Sequence, residues 1–175
     1  MLGQGVRQIR SITGMAGGDE VASLRDINVP VSVDLPLAIG IPVQYIPDQT
    51  MRIKLYRRLA DLQSEEEIMA MQDEFIDRFG SLPEPVENLF FQLRVKLLAE
   101  TAGLISVSME GEQIVLRYPP LPEGASRQLP NIGPGVRAGK NAYWMQVNTE
   151  NGAGESWRER LLNVLSAIVG EKVEA

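Results

Sequence analysis

The sequence predicts an α+β fold: three consecutive helices and a C-terminal helix packed on a small, mainly antiparallel sheet. Three observations predict it. Apolar residues at helical spacing fill one unbroken stretch, residues 48–103. Period-two alternation stands on both sides of that stretch, and a last amphipathic segment follows Ser156. Helices grouped together, instead of alternating with strands, separate α+β from a parallel α/β sheet.

The elements follow in chain order. Thr13–Glu20 is small, Gly-rich and polar, the composition of a flexible connector. Ile27, Val29, Val31, Val33, Leu35 and Leu37 alternate with other residues and read as one face of a strand. Pro30 and Pro36 cannot donate ladder hydrogen bonds, so the strand is expected at an edge. Ile41-Pro42 to Tyr45-Ile46-Pro47-Asp48 is apolar but punctuated by proline, an extended arm over the core. Asp48 is a good N-cap for a first helix reaching about Leu62, with Met51, Leu55, Leu59 and Leu62 on one face. Ser64-Glu65-Glu66-Glu67 is a capping box for a second helix, whose stripe is Ile68, Met71, Phe75, Ile76 and Phe79 and whose end is Gly80.

Pro83 and Pro85 open a third helix, closed by Gly103. Val86, Leu89, Phe90, Leu93 and Leu97 form one stripe, and Phe91, Val95 and Leu98 fill the opposite side, so burial on two faces is expected. Leu104–Met109 and Gln113–Tyr118 flank Glu110-Gly111-Glu112 as a hairpin. Residues 119–140 are rich in Pro and Gly and read as a long mobile loop. Asn141–Val147 alternates as a further strand. Ser156 caps a last helix with Trp157, Leu161, Val164, Leu165 and Ile168 inward, ending at Gly170.

Composition removes whole classes of chemistry. The 175 residues include no His and no Cys, which excludes imidazole or thiolate zinc sites, disulfides, and Ser–His or Cys–His nucleophile pairs. The 17 Lys+Arg against 23 Asp+Glu leave a formal charge of −6, unlike a free-standing nucleic-acid binder with a basic face. No apolar run approaches a membrane span, and lack of cysteine fits a reducing cytoplasm.

Four clusters remain as candidate sites. Gly133–Asn141 superficially suggests a phosphate loop, but Pro134 stands where the first Gly is needed, Asn141 replaces Ser or Thr, and a strand follows; a hairpin arm is the better reading. Lys54, Arg57 and Arg58 form a small basic face on the first helix, with Asp61 one turn from Arg57 to pair with it. Together with Arg137 and Lys140 they are the candidate nucleic-acid contact. On the second helix Glu66, Asp73 and Asp77 share the sector opposite the apolar stripe, with Glu74 at its edge. An outward helix face is a poor place for acid–base catalysis, which needs carboxylates gathered in a pocket, so the sector reads as a solvated face or a docking surface for a basic partner. Trp157 reads as core, and Trp144 as a cover of the sheet or a partly exposed ring.

The run Ile41-Pro42, Tyr45-Ile46-Pro47-Asp48, Leu55-Tyr56-Arg57-Arg58-Leu59-Ala60, Ser64-Glu65-Glu66-Glu67 and Glu74-Phe75-Ile76-Asp77-Arg78-Phe79-Gly80-Ser81-Leu82-Pro83-Glu84-Pro85 resembles the C-terminal domain of the bacterial transcription-repair coupling factor family (Mfd). The resemblance covers residues 35–103 well, is weak over 119–140, and is only topological in the last helix. Val43-Gln44 departs from the acidic residues expected before the tyrosine.

The resemblance implies a fragment of a larger, cytoplasmic protein. Residues 1–25 would be the end of an upstream motor region and its linker, and 26–175 a single regulatory domain. The whole protein would be an ATP-dependent translocase on double-stranded DNA that displaces stalled RNA polymerase and recruits excision repair. Its ATP and magnesium would sit in motor domains, leaving no cofactor, no metal and no catalytic residue in this chain. The domain would fold back on the UvrB-like module of the same protein and mask the surface where UvrA binds. Glu74 and Asp77, then Asp73 and Glu66, would carry that contact, because the resemblance implies an arginine-rich surface opposite.

Overall fold

A computed structural model of the chain describes residues 31–147 and 156–174. The connector at Thr13–Glu20, the first residues of the expected edge strand and the assignment of 1–25 lie outside the described residues. Within them the order is β1 (Ser32–Asp34), α1 (Gln49–Ala60), α2 (Glu65–Phe79), α3 (Glu84–Ala102), β2 (Ser106–Glu110), β3 (Gln113–Arg117), β4 (Val136–Ala138), β5 (Ala142–Gln146) and α4 (Trp157–Glu174). The fold is α+β.

The strands form one sheet in the order β1-β2-β3-β5-β4. β1 runs parallel to β2 and every other pair is antiparallel. β1 is an edge strand, as expected, and Val31 and Leu35 are buried while Ser32 and Asp34 are exposed. β2 and β3 are joined by a tight turn in which Gly111 takes φ 63°, a conformation that favours glycine. β3 lies mid-sheet, and its Ile114, Val115 and Leu116 are all buried.

Local signals place the helices. Asp48 accepts from the N–H of Thr50 at 3.0 Å and of Met51 at 3.4 Å. Ser64 Oγ accepts from Glu67 N–H, while Glu67 reaches one residue past the cap to the N–H of Gln63 at 2.6 Å. Ser156 and Glu159 cap α4 reciprocally, each accepting from the other's backbone N–H at 3.3 Å. Gly103 ends α3 in the left-handed region, φ 81°.

α3 is the spine. Its Val86 and Phe90 belong to one apolar cluster, with Leu55 and Leu59 of α1, Ile68, Met71 and Phe75 of α2, and Ile41 and Ile46 of the arm. Its Val95, Ala99 and Ala102 belong to a second, with the inner face of the sheet and Leu161, Leu165 and Ile168 of α4. Each fully buried Val, Leu, Ile, Met or Phe side chain among these contributes roughly 1.5–3 kcal/mol of transfer free energy. The extended arm is pinned at three points: Asn88 Nδ2 donates to Ala38 O at 3.0 Å, Gly40 N–H to Pro85 O at 3.2 Å, and Ile41 N–H to Tyr56 Oη at 2.7 Å. Further along, Tyr45 Oη donates to Gly80 O at 2.8 Å and its ring meets Phe79 edge-on.

Three sequence expectations change. Ile76 is exposed, not part of the buried stripe of α2. α4 runs through Gly170 to Glu174, because Ile168 and Val169 still pack on the sheet cluster at that point. The segment 119–140 carries β4, whose Val136, Arg137 and Ala138 pair with Met145, Trp144 and Tyr143 of β5, and its Leu129 and Ile132 pack on the core.

Candidate functional site

The outer side of α2 joins charge and apolar surface. The inward turn positions of Ile68, Met71 and Phe75 fix the helix's rotation, which sends Glu66, Asp73 and Asp77 outward, all exposed. Alongside them stand Met69 and Ile76, 51% and 46% exposed, one heptad apart and hence on one ridge. An acidic ridge bordered by unburied aliphatic side chains is what a cationic, amphipathic surface would cover.

Glu74 is placed differently. It turns toward α1, where Arg58 Nη1 and Nη2 donate to its two oxygens at 2.9 and 2.6 Å, and Arg78 adds a third contact at 3.0 Å. The hydrogen bond from Arg58, followed by that from Arg78, holds the Glu74 carboxyl down to about 2. This carboxylate stays ionised, the opposite of a proton donor. The groove between α1 and α2, about 350 Å³ and lined by Arg58, Asp61, Glu67 and Glu74, is therefore no acid–base site built on Glu74.

The basic residues separate in the same way. Lys54 and Arg57 are exposed on α1, but Arg58 is spent on Glu74. The expected Arg57–Asp61 pair does not form: the Asp61 backbone N–H closes the helix on the Arg57 and Arg58 carbonyls, and the ion pair of this face is Arg58–Glu74. Arg137 lies over the Trp144 ring at 4.7 Å, and Gly139 approaches the same indole so closely that a Cβ would enter the ring edge. Trp144 is thus a partly buried cover of the sheet's outer face. Lys140 is exposed beside it, on the β4–β5 hairpin and not on α1. Trp157 meets Phe91 edge-on and is partly buried on the core.

Sequence reasoning did not find Arg127 or the cavity it borders. The cavity, about 530 Å³, lies between the end of α3, Tyr118, residues 127–130, Tyr143 and the last turns of α4. Its residues come from separate parts of the chain, so no local pattern announces it. Burial pushes the Tyr143 phenol up to about 12, and its hydroxyl donates to Pro130 O at 2.8 Å. Among the described residues no group of three or more carboxylates could hold a metal ion, and no helix is long and apolar enough to cross a membrane.

Comparison with known proteins gives a consistent picture. A family model described as the TRCF domain matches residues 35–128, more than half of the chain. The chain is similar to the transcription-repair-coupling factor of Mycobacterium bovis, 29% identical over 155 residues that make up 88% of this chain and 13% of that protein. It is also similar to that of Rickettsia prowazekii, 33% identical over 100 residues, 57% of this chain and 9% of that protein. The chain thus spans only about an eighth of the length of the curated relatives it matches, 13% of the Mycobacterium protein. A crystal structure of the C-terminal domain of a transcription-repair coupling factor superposes with a TM-score of 0.65 at 18% identity, covering 83% of this chain and 95% of that one. At that identity the superposition shows the fold.

Proposed function

The chain belongs to the TRCF domain family, and from that premise we propose that it is a non-catalytic regulatory domain working through a protein–protein contact. The contact is the α2 ridge docked on the UvrB-like module of the same cytoplasmic protein, where it masks the surface for UvrA and restrains the ATP-driven motor. RNA polymerase and double-stranded DNA are engaged by other domains of that protein.

The observation that carries this reading is the juxtaposition of Glu66, Asp73 and Asp77 with the exposed Met69 and Ile76. A solvated helix face has no need of two large aliphatic side chains beside its charges. Because Glu74 is already held by Arg58 and Arg78, an incoming guanidinium meets Asp77 and Asp73 first. Tethering supports the mechanism: a linked module sees its site at an effective concentration of order millimolar, so a modest polar interface stays closed and yet opens when the machine moves.

The test is Asp73→Arg with Asp77→Arg in the intact coupling factor. UvrA binding and basal ATPase both rise if the reading is right, and unchanged values for both refute it. DNA binding by the isolated chain at low salt addresses the competing nucleic-acid role of Lys54, Arg57, Arg58, Arg137 and Lys140. Micromolar affinity with a steep salt slope would favour that role instead.

A further inference from the structure

We propose that the cavity between α3, α4 and residues 127–130 is a binding site for a small organic acid, an apolar body carrying one carboxylate. The site is separate from the α2 ridge and does not rest on the function proposed for it.

The walls are built, not incidental. Tyr143 Oη holds the 127–130 segment through Pro130 O at 2.8 Å, and Arg127 Nη1 donates to Pro119 O at 3.2 Å and to Asn141 Oδ1 at 3.1 Å. The Arg127 guanidinium also lies over the Tyr118 ring at 4.6 Å. These contacts fix a segment that is otherwise rich in Pro and Gly. The volume of about 530 Å³ falls within the range of small-molecule sites, and Ala102, Leu129 and Ile168 give it apolar wall beside its polar groups.

Arg127 supplies the specificity. It is partly buried, and among the described residues its hydrogen bonds go only to neutral oxygens, with no carboxylate in an ion pair with it. Arg127 lines the cavity, and only its Nη1 is engaged in these bonds, so a carboxylate bound there could meet the rest of its guanidinium through charge-assisted hydrogen bonds. Glu171 also borders the cavity but is exposed, so water screens its opposing charge more than it screens Arg127. The balance favours an anion. The apolar lining, in turn, favours an aromatic or branched body over a bare inorganic ion.

The experiment is an amide NMR titration of the full 175-residue chain with 3-phenylpropionate and, separately, with the neutral 3-phenylpropan-1-ol. The acid should shift the amides of Gly103, Gln128 and Leu129 and bind about tenfold more tightly than the alcohol, the size of one charge-assisted hydrogen bond. Arg127→Gln should abolish that preference. Glu171→Gln, at the exposed rim, should tighten the acid by about two- to threefold. The proposal is overturned if acid and alcohol bind equally, or if no cavity amide moves by about 10 mM, where a ligand of this size should register. It is overturned equally if Glu171→Gln weakens the acid. The acid–alcohol comparison and Glu171→Gln decide the matter even if Arg127→Gln fails to fold.

Discussion

Arg58 of α1 and Glu74 of α2 are joined by a two-pronged ion pair, 2.9 Å at Nη1–Oε1 and 2.6 Å at Nη2–Oε2. The pair ties together two helices whose apolar faces share one cluster. Its folded-state carboxyl lies near 2, depressed from an ordinary value of 4.5. A depressed carboxyl gives stability that is present above its unfolded value and lost as pH falls toward its folded one. Glu74→Gln should therefore cost about 0.5–1 kcal/mol at pH 7, small because Arg58 is half exposed. The difference from the unaltered chain should shrink between about pH 4.5 and pH 2. Urea midpoints across that window check both statements.

Glu74 and Asp77 sit on one helix within a turn of each other, yet reversing their charges should have different consequences. Asp77→Arg changes an exposed position, so the urea midpoint should move by no more than about 0.5 kcal/mol in stability. Its expected effect is on the proposed contact alone. Glu74→Arg would bring a third guanidinium to Arg58 and Arg78, lowering stability as well as altering the contact. Parallel unfolding and UvrA-binding measurements on the two variants separate a structural carboxylate from the one proposed to dock.

Asn88 is a buried polar side chain, 2% exposed, that donates to Ala38 O while its Oδ1 meets no protein donor. Asn88→Asp removes the donor and sets an anion against the Ala38 carbonyl. The variant should lose about 2–5 kcal/mol at pH 7. Burial raises a carboxyl's folded value, so the deficit should be small below about pH 4 and grow as pH rises through the unfolded value. A deficit independent of pH in thermal melts would mean that packing, and not charge, is responsible.

Gly170 lies inside α4 with nothing within 4 Å of the place where a Cβ would stand. Gly170→Ala should raise stability by about 0.5–1 kcal/mol, through the helix propensity gained and the unfolded-state entropy removed. Differential scanning calorimetry should show a higher Tm by roughly 1–4 °C.

These positions also show what the sequence could reveal. The two-faced pattern of α3 was legible, since Val86, Leu89, Phe90, Leu93 and Leu97 at helical spacing join one cluster while Phe91, Val95 and Leu98 join the other. The acidic ridge was legible for the same reason. The ion pair of Glu74 was not legible because Arg58 is 16 residues away, a partner no local window contains. β4 was hidden because Val136–Ala138 has only three residues between Gly135 and Gly139, so its pairing comes from β5 and not from its own pattern. Gly170 resembles a helix stop, but tertiary packing of Ile168 and Val169 carries α4 through it. Ile76 fits an apolar stripe by spacing, and only the packed structure shows it left outside.

The β4–β5 hairpin gives the sharpest contrast with Gly170. Gly139 donates its N–H to Ala142 O at 2.9 Å, and its Cα faces the Trp144 indole, so that a Cβ would lie inside contact distance of Cζ3 and Cη2. The Trp144 ring is partly buried and has Arg137 4.7 Å above it, so displacing it disturbs its packing and that contact together. Gly139→Ala should therefore destabilise by about 1–3 kcal/mol, the cost of overpacking at a constrained site. The indole N–H resonance of Trp144 should move while that of Trp157, on α4, stays in place. The same glycine-to-alanine change is thus expected to strengthen the chain at 170 and weaken it at 139, and an unfolding series on the two variants with a common baseline reads both signs directly.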